Sequence, residues 1–226
     1  MLFLVLGRGK TGRVIADVAH EHGHGVRVVG EEENRNTMAL TAPFLAGFDA
    51  VIDFTTPEAA VANMRACLAT GARMVVGTTG WYQHLNDMRT LAARKGAGFL
   101  YGTNFSIGVQ AVYRLARELA IAVPSYQFKI TETHHASKKD APSGTALSIR
   151  QAVQAANPAL NVEIESKREG DVAGVHVLEA RSGDELIEIR HEAFSRRAFA
   201  EGAVRAAEWI AGKTGVWDFS EIADQL

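Results

Sequence analysis

Five short runs up to residue 102, "LFLVLG" (2–7), "VRVVG" (26–30), "AVIDF" (50–54), "RMVVG" (73–77) and "GFLYG" (98–102), are almost continuously apolar. A strand reads this way when both of its faces are buried, the condition met in a parallel sheet with helices on either side. Three helix-like segments lie between the runs: "KTGRVIADVAHEHG", "PEAAVANMRACLATG" and "WYQHLNDMRTLAARKG". Each ends on a glycine, which takes the left-handed conformation at a helix C-terminus without strain. Pro57 opens the second segment, suited to a first helical turn. Residues 34–49 show no period and read as an irregular connection.

Beyond "NFSIG" the pattern changes. "VQAVYRLARELAIAV" has helical spacing, and in "YQFKITET" Tyr126, Phe128 and Ile130 alternate with Gln127, Lys129 and Thr131, so only one face of that strand is apolar. "NVEIES", "GVHVLEA" and "ELIEIRHEA" alternate in the same way, and "RSGDE" between the last two is a hairpin turn signal. This half therefore predicts an α+β unit with a mostly open sheet. The tail "FAEGAVRAAEWIAG" returns to helical spacing, with Phe199, Ala203, Ala207 and Ile210 on one stripe able to cover either part.

Composition narrows the function classes. With 47% hydrophobic and 22% charged residues the 226-residue chain is of ordinary globular type. A net charge of −2, mixed along the sequence, removes an electrostatic case for nucleic acid and favours a small-molecule partner. The single cysteine, Cys67, sits in an amphipathic segment and reads as packing. No run approaches the roughly 20 apolar residues of a membrane helix, and Met1 leads into the first strand without a basic leader, so the expected compartment is the cytoplasm.

"GRGKTG" (7–12) follows the first strand and opens the first helix, the setting of a G-x-G-x-x-G dinucleotide fingerprint. Gly7 serves the tight turn, Gly9 lets backbone amides approach a pyrophosphate, and Gly12 lets the helix pack closely on the strand. The pyrophosphate would sit on the helix N-terminus, beside Lys10 and Thr11. Glu31, at the end of the second strand, has nearly the spacing of an acid that accepts from the adenosine ribose. Glycine-rich turns also occur without nucleotide, and "EEEN" is also what a solvated acidic loop looks like; strand, loop, helix, strand and acid in register favour the nucleotide. "GTTGW" (77–81) and "GTNFSIG" (102–108) follow buried strands at the edge where such sheets bind ligands, which makes Gly77, Thr78, Thr79, Thr103, Asn104 and Phe105 further candidates for the nicotinamide side. Taken singly, each reads better as an ordinary turn.

Residues 132–146, "ETHHASKKDAPSGTA", crowd titratable groups more tightly than any comparable stretch. Pro142, Ser143, Gly144 and Thr145 mark a helix start, whose amides bind anions such as carboxylates. Lys138 adds a positive charge, and His134 or His135 can donate a proton near neutrality, since an unperturbed imidazole titrates at about 6.5. The loop suits a small anion that is protonated as it reacts; read without the upstream fingerprint, it is equally a solvated basic turn.

That loop, together with "GTTG", "NFSIG", "KREG" and "SRRAFAEGAVRAAEWIAGK", resembles the 4-hydroxy-tetrahydrodipicolinate reductase (dihydrodipicolinate reductase) family over essentially the whole chain. The resemblance implies an α/β fold: a Rossmann-type domain of residues 1–106 and 197–226, and an inserted α+β domain of residues 107–196 carrying a mostly open mixed sheet. It implies His134 as the acid–base residue, Lys138 as a proton donor that engages substrate, and His135, Ser143, Gly144 and Thr145 as positions that bind a small dicarboxylate. It also implies NADH or NADPH as cofactor, no metal, and a homotetramer built through the second domain. The chain resembles the shorter type of member, with one residue fewer in the nucleotide loop and a shorter stretch between its second and third strands. Glu31 argues for NADH, whereas Arg8, Lys10 and Arg35 offset its charge, so dual use is expected. Two alternatives are a related dehydrogenase acting on another substrate, such as aspartate or homoserine, and a protein that senses the dinucleotide without turnover; the "HHASKKDAPSGT" loop argues against both.

Overall fold

A computed structural model describes residues 1–226. In chain order the elements begin with β1 (Leu2–Leu6), α1 (Lys10–Glu21), β2 (Gly25–Val29), α2 (Ala42–Leu45), β3 (Ala50–Asp53), α3 (Pro57–Ala69), β4 (Arg73–Val76), α4 (Leu85–Lys95) and β5 (Gly98–Tyr101). There follow α5 (Ile107–Ala122), β6 (Gln127–His134), α6 (Gly144–Ala156), β7 (Val162–Arg168), β8 (Val175–Arg181) and β9 (Leu186–Glu192), then α7 (Arg197–Ile210), β10 (Gly215–Asp218) and α8 (Phe219–Ile222). Met1–Ser106 with Arg197–Leu226 form one compact unit, and Ile107–Arg196 form a second.

The first unit is a six-stranded, wholly parallel sheet in the order β10-β5-β4-β3-β1-β2. On one face Leu4, Leu6, Val51, Met74, Val76 and Phe99 pack with Met64 and Leu68 of α3 and Met88 and Ala92 of α4. The alternate residues Phe3, Val5, Ile52, Val75 and Leu100 are equally buried toward the other side, where α1 and α7 pack together. Four of the apolar runs are thus two-faced strands, as their composition predicts. The second is not: β2 lies at the sheet edge and alternates between exposed and half-buried residues until Val29, which is buried. Gly23, Gly71 and Gly96, just past the ends of α1, α3 and α4, all take positive φ, at 79°, 79° and 62°. Thr56 caps α3 by accepting a bond from the Ala59 amide, with Pro57 at its first position.

The connection 34–49 holds a single 3-10 turn, Arg35–Thr37, and the four-residue α2, anchored by buried Leu40 and Leu45. Trp81, which reads as the start of a helix, instead precedes a 3-10 turn and lies fully buried with its indole N–H donating to the Thr78 carbonyl. Burial pushes the Cys67 thiol well above its usual range, consistent with a packing role.

In the second unit the sheet order is β7-β6-β8-β9, with β6 and β7 parallel and the other pairs antiparallel. Helices α5 and α6 pack against each other, and Val112, Ala116, Ile149 and Val153 join Phe128, Ile130, Leu178 and Ala180 in one core. The β8–β9 hairpin closes through the Ser182 amide bonded to the Glu185 carbonyl at 3.0 Å.

Candidate active site

Strand order in the first unit reverses at β1: the chain leaves it toward β2 on one side and β3 lies on the other. Loops leaving such a switch point separate and open a crevice. There a cleft of about 570 Å³ is bounded by Gly7 and Gly9 after β1, Glu31 and Arg35 after β2, and Thr55 and Asn63 from β3 and α3. The glycines have distinct roles. Gly7 has φ +109°, and a Cβ there would stand 2.5 Å from the Phe54 carbonyl oxygen; one on Gly12 would stand 2.0 Å from the Gly7 oxygen. A Cβ on Gly9 meets nothing within 4 Å. Gly7 and Gly12 are therefore required by the chain itself, whereas Gly9 keeps open space in front of α1, whose first turn has neither a side-chain cap nor an acid. An uncapped helix start behind a bare backbone fits a pyrophosphate.

Glu31 borders the cleft with Arg8 and Arg35, and Arg8 pairs with Glu33 at 3.1 Å. Lys10, Thr11 and Gly12 form the first turn of α1 and are not among the cleft's lining residues. Gly77 lies against the Phe54 ring, which a Cβ would strike at 2.1 Å. Thr78 is buried, and its hydroxyl donates to Asp53 Oδ1 at 2.8 Å; Phe105 is buried between Phe54 and Phe219. Thr79 and Thr103 are exposed, and Asn104 Oδ1 accepts from the Ser106 amide at 2.8 Å.

Sequence reasoning missed Asp53. It is fully buried at the end of β3, and its carboxylate accepts from Asn63 Nδ2 (2.8 Å), the Thr55 hydroxyl (2.7 Å) and amide (3.1 Å), and Thr78. Burial drives its pKa up, and these donors oppose the rise. Asp53 thereby fixes the loops after β3 and β4 from beneath.

In the second unit, the alternation that places Phe128 and Ile130 inward continues to Glu132 and His134. His134 is not in a loop, as the sequence pattern suggests: it closes β6, in register with Arg168, and its carbonyl accepts from the Glu169 amide at 2.8 Å. The ladder extends because β7 runs alongside that far. Glu132 is fully buried and holds His134 Nδ1 by a short hydrogen bond, while Arg168 Nη2 lies 2.9 Å from Glu132 Oε1. With Nδ1 engaged, Nε2 is the free edge of the ring, and Gly174 keeps it accessible: a Cβ there would come within 3.0 Å. Burial, helped by the charges of Lys138 and Arg168, lowers the His134 pKa against the opposing pull of Glu132. For Glu132 burial acts upward, but bonds from Arg168, Ser166 and His134 outweigh it and hold the carboxyl below its ordinary value.

Around this pair the loop supplies Lys138, whose ammonium lies 2.8 Å from Asp140 Oδ1, and His135, whose Nδ1 is 2.9 Å from Ser137 Oγ. Lys139 is exposed. Ser143 caps α6, accepting from the Ala146 amide at 3.2 Å; Gly144 is exposed and Thr145 half-buried on the first turn. His176, also missed by sequence reasoning, is buried with Nε2 3.2 Å from Ser143 Oγ and its ring 5.1 Å from that of His134. Desolvation and then the neighbouring His134 depress its pKa to about 4. The register explains the grouping, since Ser166, Glu132, His176 and His191 stand opposite one another across the four strands. The overlooked signal was a glutamate and a histidine on otherwise apolar strand faces, which calls for a buried polar partner.

Residues 1–105 match the family model described as dihydrodipicolinate reductase, N-terminus, and residues 108–222 match its C-terminus. The chain is similar to the 4-hydroxy-tetrahydrodipicolinate reductase of Christiangramia forsetii, at 32% identity covering 100% of this chain and 99% of that protein. It is 37% identical to the protein of the same name from Natronomonas pharaonis, covering 94% of this chain and 96% of that one. Its fold matches a dipicolinate-bound dihydrodipicolinate reductase from Paenisporosarcina sp. TG-14, with a TM-score of 0.81 at 21% identity over 100% of this chain and 99% of that one. Both halves of the sequence meeting one family, with relatives matched along nearly their full lengths, establish that this chain belongs to the dihydrodipicolinate reductase family.

Proposed function

We propose that the chain is a 4-hydroxy-tetrahydrodipicolinate reductase, forming tetrahydrodipicolinate on the route to diaminopimelate and lysine, in which the first unit holds a nicotinamide dinucleotide and the second holds the cyclic dicarboxylate. The observation that carries the reading is the buried Glu132–His134 pair beside Lys138 and the start of α6. When bound, the nicotinamide supplies the two-electron reduction of the conjugated ring imine. Gly7, Gly9 and the first turn of α1 (Lys10, Thr11, Gly12) hold the pyrophosphate, Glu31 the ribose, and Gly77, Thr78, Thr79, Thr103, Asn104 and Phe105 shape the nicotinamide end, with Asp53 bracing Thr78. His134 donates from Nε2 to the electron-rich ring carbon, and Glu132 holds the other nitrogen, so the imidazole keeps one orientation while its charge changes. Lys138, His135 and the Ser143–Thr145 helix start bind carboxylate oxygens. The substrate's negative charges oppose the effect of burial on His134 and favour its protonated form.

Dual use of NADH and NADPH is part of the proposal, because Glu31 and the cations Arg8 and Arg35 border the same cleft. So is a homotetramer in the cytoplasm, assembled through the second unit. There the edge strand β9 is unpaired on one side and the Phe194 side chain beyond it is 89% exposed.

The deciding experiment is a coupled assay in which a synthase condenses aspartate semialdehyde with pyruvate and the loss of nicotinamide absorbance is followed with each cofactor. Oxidation with either cofactor that requires the synthase supports the reading; none with either removes it. Glu31→Ala is expected to raise KM for NADH while sparing or lowering that for NADPH. An unchanged ratio of kcat/KM would take Glu31 out of the ribose site.

A further inference from the structure

A second cluster of chemistry-bearing side chains lies in the first unit, where the end of α1 meets α7. His22 follows the last residue of α1, His24 lies in the turn before β2, and Glu208 belongs to α7. His22 Nδ1 is 3.0 Å and His24 Nε2 2.7 Å from the same oxygen, Glu208 Oε1. One donor atom from each of the three residues lies within 4.8 Å of the others. We propose that His22, His24 and Glu208 bind a divalent transition-metal ion of the zinc type, clamping α1 to α7.

The ligand chemistry selects the ion. Two imidazoles and one carboxylate suit zinc and its borderline neighbours, whereas calcium and magnesium require shells made mostly of oxygen. A tetrahedral ion with bonds of about 2.0–2.1 Å separates its ligand atoms by about 3.3 Å. The two nitrogens converge on Glu208 at slightly less than that spacing, so binding requires the carboxylate to draw back and admit the ion between the three side chains. The surrounding groups are also those of a metal site. Glu201 Oε1 lies 3.0 Å from His22 Nε2, the nitrogen turned away from Glu208, as the outer carboxylate of a metal-bound histidine does. Arg205 Nε in turn holds that Glu201 oxygen at 3.3 Å. The side chains of His22, His24 and Glu208 are 26%, 12% and 31% exposed, so an ion can enter from solution. A cavity of about 460 Å³ bordered by His22, Glu208 and Trp209 has room for water at a fourth position.

The other grouping of this kind, Glu132, His134 and His176, has its carboxylate already committed: Glu132 holds His134 Nδ1 and is neutralised by Arg168. One ion per chain is therefore expected.

The test uses tag-free, full-length protein stripped with chelator and then dialysed free of it. Zn²⁺ is added in a calorimeter, Co²⁺ binding is followed by its visible absorption, and Tm is recorded with and without each ion. The expected result is one equivalent bound, cobalt bands of a four- or five-coordinate ion, and a rise in Tm. His22→Ala and His24→Ala should each abolish the bands, and Glu201→Gln should weaken binding by about 10-fold to 100-fold. Glu208→Gln keeps the side-chain size and so decides the matter if the alanine variants fail to fold. Absence of Zn²⁺ binding by the native chain, or undiminished binding by Glu208→Gln and by folded His22→Ala, would overturn the proposal.

Discussion

His134 shows how one residue takes its chemical character from what surrounds it. Burial alone leaves a histidine mostly unprotonated near neutrality, with no proton to give, because it disfavours the charged form. Glu132 supplies the opposing charge, and Arg168 keeps Glu132 ionised. Replacing His134 with Gln is expected to lower kcat by about 10²-fold to 10⁴-fold, the range of a general acid, with dinucleotide binding unchanged in a fluorescence titration. Glu132→Gln tests the pair differently. The donor must be protonated, so activity falls as pH rises through the His134 pKa. Without the carboxylate that pKa drops further, and the descending limb of the kcat/KM profile should move to lower pH. A limb that stays in place would mean that Glu132 only supports the fold. For the lysines, Lys138→Ala should raise KM and lower kcat together, while exposed Lys139→Ala should do neither; the reverse would shift the substrate-binding role to Lys139.

At the scale of elements, the β1–α1 turn separates what folding needs from what the ligand needs. Gly12→Ala places a methyl group against the Gly7 carbonyl, and neither backbone segment can move without disturbing helix or strand. Gly9→Ala puts its methyl into open space at an ordinary φ of −70°. Thermal unfolding should therefore show a lowered Tm for Gly12→Ala and a near-native one for Gly9→Ala. Dinucleotide affinity should fall in both. If Gly9→Ala binds as tightly as the native chain, the phosphate does not sit over that turn. The cap of α6 is a similar joint. Ser143 serves both the helix start and His176, so Ser143→Ala should cost about 1 kcal/mol of stability and also raise KM for the dicarboxylate.

For the whole molecule, the buried histidines set a pH dependence of stability. The His176 pKa is about 4 when folded against roughly 6.5 unfolded. The unfolded chain therefore binds the proton first, and stability is lost as pH falls from the unfolded value toward the folded one. The His176 contribution is on the order of 3 kcal/mol once pH is below both values. His134 and His191, also depressed by burial, act in the same direction; His22, raised by Glu208, acts in the opposite one. The informative readout is thus a difference: urea unfolding of the native chain and of His176→Gln, compared at about pH 7 and about pH 5, should show a shallower loss in the variant. Equal losses would mean that His176 takes up its proton without opposition from the fold.

The local sequence determined those features whose causes are local. Apolar runs too continuous for a one-faced strand identified the buried strands β1, β3, β4 and β5, and strict alternation identified the second sheet. The glycines of the first turn and the Pro-Ser-Gly-Thr start of α6 were legible because backbone geometry and capping act over a few residues. The "HHASKKDAPSGT" loop pointed to an anion and a proton for the same reason, since its charges are adjacent in the chain. What remained illegible depends on partners distant in sequence. "GVWD" carries no strand pattern and becomes β10 because Gly215–Asp218 pair with Gly98–Tyr101. The stripe on α7 did not say which unit it covers, since an apolar face specifies burial and not the surface that provides it. Glu132, His176 and Asp53 look like ordinary polar residues until β7, the start of α6 and α3 bring Arg168, Ser143 and Asn63 against them. A buried charge is tolerable only with partners in place, and tertiary structure alone decides whether those partners arrive.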